Sequence, residues 1–91
     1  MHKHFNITII GKVQGVYYRA NALEQAQSFG INGFVRNEKN GNVYVEAEGT
    51  EEKLNTLIAW CKRGPTRAVV KEVIVTEGEM QNFIGFEIRK G

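Results

Sequence analysis

Two runs with a helical period are each enclosed between runs that alternate every second residue, and an Asn-Gly pair joins the two halves. "FNITIIG" alternates, with Phe5, Ile7 and Ile9 on one side. "YYRANALEQAQSFG" has the helical period: Ala22, Ala26 and Phe29 share a face, Leu23 flanks it, and Gly30 is a natural stop. "INGFVRNE" and "NVYVEAEG" alternate again on either side of "KNG", a strong hairpin signal. In the second of them Val43, Val45 and Ala47 face one way and Tyr44, Glu46 and Glu48 the other. A second helix follows in "TEEKLNTLIAWCKRG". Thr50 suits its N-cap, Glu51 and Glu52 its positive end, and Leu54, Leu57, Ile58 and Cys61 make one apolar stripe. Gly64-Pro65 ends it. "AVVKEVIVTEGEM" and "FIGFEIRK" are two further strands, the last with Ile84, Phe86 and Ile88 expected inward.

This order is βαββαβ with one extra strand. Two amphipathic helices can bury their stripes only by covering one face of a mostly antiparallel sheet. The expected fold is therefore α+β, a ferredoxin-like α/β sandwich built from two split βαβ units. At 91 residues, one domain spanning 1–91 is expected. Such a fold hosts many functions, so function has to come from a site.

Several classes fall away on composition. No apolar run approaches the ~20 residues of a membrane span, and "MHKHFNITIIGK" lacks the features of a signal peptide, so a cytoplasmic protein is expected. One cysteine, Cys61, allows no internal disulfide. A net charge of +2 does not argue for nucleic acid. Aspartate is absent and Ser28 is the only serine. That removes an aspartyl-phosphate nucleophile, an EF-hand loop and a serine nucleophile elbow.

Four stretches could carry chemistry. "CKRGPTR" fits C-x-x-G-x-x-R, the phosphate loop of cysteine-dependent phosphatases. That loop needs a helix after it to lower the thiol pKa, whereas here the helix comes before. A buried structural cysteine is expected instead. His2 and His4 lie on one side of an extended segment, but no third histidine exists; a frayed terminus is expected, with no metal. Tyr17, Tyr18, Phe34 and Tyr44 with Lys12, Arg36 and Arg63 could stack single-stranded RNA on the sheet. The RNA-binding signature is missing and glutamates stand where bases would lie, so ordinary sheet aromatics are expected.

The fourth is "GKVQGVYYR", Gly11 to Arg19. A strand ends, a glycine-containing turn follows, and a helix starts near Tyr18. Successive backbone N–H groups of Gln14 to Arg19 can point into one concavity, and the helix end adds positive potential. Arg19 then lies in the first helical turn, the unfavourable end for a cation. Two readings stand on these residues: an anion offsets that repulsion, or Arg19 is a solvated side chain after a tight turn. Asn37 ends the strand after the first helix, at the same sheet edge as this turn. Its amide could hold a water, or it is a turn-favoured asparagine.

These residues resemble a known family. "GKVQGVYYR" is similar to the acylphosphatase motif G-x-V-Q-G-V-x-[FY]-R at every specified position. "GFVRNEKNGNVYVEAEG" resembles its second motif, in which G-[FW]-V-x-N precedes x-x-x-G-x-V and a glycine. "CKRGPTRAVV" and "FIGFEIR" resemble its G-P-x-x-A-x-V turn and closing strand, so the resemblance spans nearly the whole chain. It implies hydrolysis of the carboxyl–phosphate bond of acyl phosphates by a single domain, a monomer without metal or cofactor. It places the family's catalytic arginine on Arg19, its catalytic asparagine on Asn37, and its phosphate-binding loop on Gln14, Gly15, Val16, Tyr17, Tyr18 and Arg19. The implied partners are a small acyl phosphate and inorganic phosphate as product and inhibitor, with neither nucleic acid nor membrane. A non-enzymatic module binding a phospholigand or RNA with the same cradle is the alternative.

Overall fold

The computed structural model describes residues 1–90. Strand β1 (His2–Lys12) leads to helix α1 (Tyr18–Ser28), then to strands β2 (Asn32–Asn37) and β3 (Val43–Thr50). Helix α2 (Glu51–Arg63) and strands β4 (Val69–Gly78) and β5 (Phe86–Arg89) complete the order. The five strands form one sheet in the order β4-β1-β3-β2-β5, antiparallel throughout except for the parallel pair β2–β5. This is the expected βαββαβ sandwich with its extra strand at one edge.

One apolar layer explains the arrangement. Phe5, Ile7 and Ile9 of β1 and Val43, Val45 and Ala47 of β3 turn the same way, as their alternation requires. They meet Ala22 and Ala26 of α1 and Leu54, Leu57 and Cys61 of α2, all buried in the same cluster. Small alanines on α1 let that helix lie close to the sheet. Thr50 caps α2 by accepting from the Lys53 N–H, and Gly64 closes it at φ 68. Trp60 is also buried, although it lies off the Leu54–Cys61 stripe. It packs against Tyr18 with ring centroids 5.1 Å apart and so joins the two helices.

Two expectations are corrected. The N-terminus is not frayed at His4. Strand β1 is central and pairs on both sides, from His2 opposite Thr50 and from His4 opposite Gly78. His4 is only 2% exposed. Strand β5 is shorter than "FIGFEIRK" suggests. Gly85 takes φ 70 and breaks the extended run, so pairing with β2 starts at Phe86. Phe86 is buried as expected, but Ile84 is 99% exposed and Ile88 41% exposed.

Two glycines are dictated by close approach. A side chain on Gly11 would meet the Val69 carbonyl, and one on Gly33 the Glu46 carbonyl. Gly11 also marks a register shift between β1 and β4, where β1 bends into the loop that follows. No helix among the described residues is long and apolar enough to cross a membrane.

Candidate active site

The loop between β1 and α1 alternates between anchored and exposed residues. Val13 and Val16 bury their side chains in the core, which pins the loop at two points. Between and after them, Gly15 and Tyr17 take positive φ, 74 and 62. A Cβ on Gly15 would meet nothing within 4 Å, so its glycine answers to backbone conformation rather than to space. Tyr17 is 73% exposed and pays for left-handed backbone without glycine's freedom. Alternation of left- and right-handed backbone is the kind of conformation that can form an anion nest.

Helix α1 starts at the end of this loop without local compensation. Tyr17 at the N-cap has no capping side-chain bond, and the first turn holds no acid. Its positive end is therefore open to an external anion. Arg19, the second helical residue, has no ion-pair partner among the described residues.

Asn37 reaches the same place from the sheet. It is the last residue of β2, and its side-chain Oδ1 is buried with no hydrogen-bond partner among the described residues. An orphaned buried acceptor is costly and calls for an explanation. Gly15, Tyr17, Tyr18, Arg19 and Asn37 line one cleft of about 390 Å³, with Ile88 of β5 as part of the wall. A second cleft of about 430 Å³ meets it at Asn37 and carries both signs of charge, from Arg36, Lys39 and Lys90 against Glu38.

Two side chains of the expected loop are committed elsewhere. Val16 packs in the core, and Gln14 reaches across to the next turn. The Gln14 amide donates to the carbonyls of Glu38 and Asn42, at 2.7 and 2.8 Å. It ties the loop to the β2–β3 turn just beyond Asn37, which sets the relation between Arg19 and Asn37. The Tyr18 phenol is also committed elsewhere. It donates to the Cys61 carbonyl at 2.8 Å, and burial raises its pKa well beyond the ordinary 10. Ile88 is the lining residue that alternation placed in the core instead.

The other sequence candidates separate from this cleft. Cys61 is fully buried, and burial pushes its thiol up to about 12 even though the nearby Tyr18 hydroxyl works the other way. It cannot serve as a nucleophile. His4 is bonded to Glu48 rather than free for a metal, and no group of three or more His, Cys, Asp or Glu is poised for one among the described residues. The sheet aromatics are covered by their own arginines. The Arg36 guanidinium lies 4.7 Å from the Tyr44 ring centre and that of Arg89 lies 4.2 Å from Phe34. Those ring faces are not open to bases.

A glycine-containing loop, an arginine unpaired among the described residues and a buried amide meet in one cleft of a small ferredoxin-like α+β domain. Comparison with known proteins makes the class specific. The acylphosphatase family model matches residues 5–88. An acylphosphatase of Syntrophus aciditrophicus is 41% identical over 87 residues, covering 91% of each chain. The structure of an acylphosphatase from Coxiella burnetii superposes with a TM-score of 0.94 at 30% identity, over 97% of this chain and 93% of that one. The acylphosphatase from Bacillus subtilis gives 0.93 at 30% identity, over 98% and 99%. The chain belongs to the acylphosphatase family.

Proposed function

We propose that the cleft between the β1–α1 loop and Asn37 hydrolyses acyl phosphates, R–CO–O–PO₃²⁻, to a carboxylate and inorganic phosphate. The observation that carries this reading is the pairing of two unsatisfied groups in one cleft: Arg19 without a counter-charge and Asn37 with an orphaned Oδ1. Each matches one half of the reaction.

Loop N–H groups from Gln14 to Arg19 and the planar fork of Arg19 bind the phosphoryl oxygens. They also stabilise the charge spread over those oxygens in the transition state. Asn37 Oδ1 accepts a hydrogen bond from a water and orients it opposite the departing carboxylate. The water oxygen forms the new bond to phosphorus, and the bridging P–O bond breaks with its electron pair leaving on the carboxylate. A phosphoryl oxygen takes the water's proton, giving RCOO⁻ and H₂PO₄⁻. The conjugate acid of the leaving group has a pKa of about 4, so no general acid is required. A chain without aspartate, whose one cysteine is inert, can therefore carry out this reaction without a metal or cofactor. Alkyl phosphate monoesters, whose alkoxide needs protonation, should be poor substrates. We place the activity in a cytoplasmic monomer of one domain, with inorganic phosphate as a competitive inhibitor.

The test is hydrolysis of acetyl and benzoyl phosphate in the presence of a chelator, by wild type and by Arg19→Ala. Rapid turnover that the substitution abolishes is expected. Absence of turnover in the wild type, with phosphate or RNA still bound, would make the cleft a binding module instead.

A further inference from the structure

The sheet face opposite the helices buries two ionisable side chains that this mechanism leaves unused. His4 is 2% exposed and Glu48 3%. Both ring nitrogens of His4 face oxygen acceptors. Nδ1 lies 2.7 Å from Glu48 Oε2, while Nε2 lies 2.8 Å from Asn6 Oδ1 and 3.2 Å from Glu46 Oε1. A neutral imidazole has one N–H and one bare nitrogen, so only the imidazolium satisfies all of them.

Two cations lie one ring away from His4, Arg89 over Phe83 and Arg36 over Tyr44. Strand β3 supplies Glu46 and Glu48, and the Tyr44 hydroxyl donates to Glu46 at 2.8 Å. Strand β1 supplies Asn6. Strand β4 supplies Gly78, where any side chain would crowd the ring. The segment after β4 lays Phe83 over it, with ring centres 5.9 Å apart. His2 shares a surface cleft with Glu48. Burial by itself would lower the His4 pKa; hydrogen bonds donated to Glu48 and Asn6 and the charges of Glu46 and Glu48 outweigh it and raise the value above 6.5. Burial would raise that of Glu48; the Gln81 N–H, His4 and the Phe83 N–H together bring it below 4.5.

Glu48 also holds backbone. It accepts from the N–H of Gln81 at Oε2 and of Phe83 at Oε1, the latter at 2.9 Å. These bonds fasten the segment between β4 and β5. Ile84 of that segment is fully exposed and adds no hold; the other ties are Phe83 edge-on to Phe34 and the Gly33 N–H donating to the Gly85 carbonyl. Directly after it, β5 pairs in parallel with β2, the strand that ends in Asn37, and brings Ile88 to the wall of the cleft.

We infer that His4 and Glu48 are positioning residues for this cleft: their ion pair anchors the 79–85 segment and thereby seats β5 and Ile88 beside Arg19 and Asn37. This rests on reading the cleft as the site of hydrolysis. Above the folded pKa of His4, a bare Nε2 would face the oxygens of Asn6 and Glu46, and the ring must turn away from them. Below that of Glu48, a protonated carboxyl loses acceptor strength toward its three donors. The clasp is closed between those limits, from below pH 4.5 to above pH 6.5.

The experiment is an NMR titration of the intact chain, reading the His4 ring, the Ile88 methyl, and exchange of the Gln81 and Phe83 amides corrected for intrinsic rate. It runs beside a pH profile of KM and kcat for benzoyl phosphate. The Ile88 methyl, both amides and KM should change through one midpoint, that of His4, above 6.5. His4→Asn keeps a donor toward Glu48 without titrating, and should remove that transition from every signal. Glu48→Gln must turn its amide against one of three donors, so Gln81 and Phe83 should exchange about tenfold faster or more. The Ile7 and Val45 amides of the central strands report whether each variant is folded. If His4→Asn does not fold, the wild-type midpoints and Glu48→Gln decide. An Ile88 signal indifferent to the His4 titration, or unchanged Gln81 and Phe83 exchange in Glu48→Gln, overturns the inference. A chain with no hydrolytic activity but an Ile88 methyl that follows His4 would overturn only the reading of the cleft.

Discussion

Replacing Arg19 with alanine should remove phosphate binding and yet leave the fold at least as stable as wild type. The magnitude follows from where Arg19 sits. It is the second residue of α1, in a first turn without acids and behind an N-cap without a capping side chain. A cation there opposes the helix dipole by about 0.3–1 kcal/mol. Alanine adds a few tenths in helix propensity, roughly 0.2 kcal/mol. No ion pair is lost, since Arg19 has none among the described residues. The partly buried aliphatic stem gives up some contact, which offsets part of the gain. Arg19→Ala should therefore unfold at the wild-type free energy or up to about 1 kcal/mol above it, a rise in Tm of at most about 4–8 °C for a domain of this size. The assay is urea and thermal unfolding with and without excess inorganic phosphate. Wild type should gain about 2.7 kcal/mol at a hundredfold excess over Kd, and the variant nothing. A variant less stable than wild type by more than about 1 kcal/mol would mean that Arg19 is a structural residue. A variant that kept its phosphate-dependent stabilisation would remove the anion from its account altogether.

Further outcomes test the rest of the cleft. Asn37→Ala should lower kcat by about 10²-fold or more while competitive inhibition by phosphate persists, as the proposed water-orienting role of its amide requires; equal loss of both would contradict that role. Gln14→Ala should cost about 1–3 kcal/mol in urea unfolding, since two half-buried hydrogen bonds worth about 0.5–1.5 kcal/mol each are lost, and should reduce turnover without loss of Arg19. Cys61 should resist thiol reagents in the native state and react at the rate of global unfolding, read by mass spectrometry over a denaturant series. Phe86→Ala should destabilise by about 3–5 kcal/mol, whereas Ile84→Ser should stay within about 0.5 kcal/mol, by thermal unfolding of both.

Much of this molecule is local, and what is local was legible. The alternation of β1 and β3, the stripe of α2 with its Thr50 cap, and the stop at Gly30 all depend on residues a few positions apart. The loop motif was equally visible, because glycine at a left-handed position and an arginine against a helix dipole are marks left within nine residues. Whether an anion explained them was not decidable from the motif alone. Asn37 lies far along the chain, and only the β2–β3 pairing and the Gln14 amide bring it beside Arg19 with its Oδ1 unpaired.

The misreadings have one physical origin. Alternation tells which side a residue faces, not whether anything covers that side. Ile84 and Ile88 follow the pattern of a buried strand, but β5 is an edge of four residues beyond Gly85, so neither is enclosed. His4 follows the pattern of an exposed terminal residue, but the 79–85 segment folds across it and Glu48 waits beneath. Sequence by itself determined the elements, their order, and the residue types able to hold a phosphoryl group. Only the tertiary structure decided which of them meet, because strand order and loop coverage arise from contacts between residues dozens of positions apart, to which no local period is sensitive.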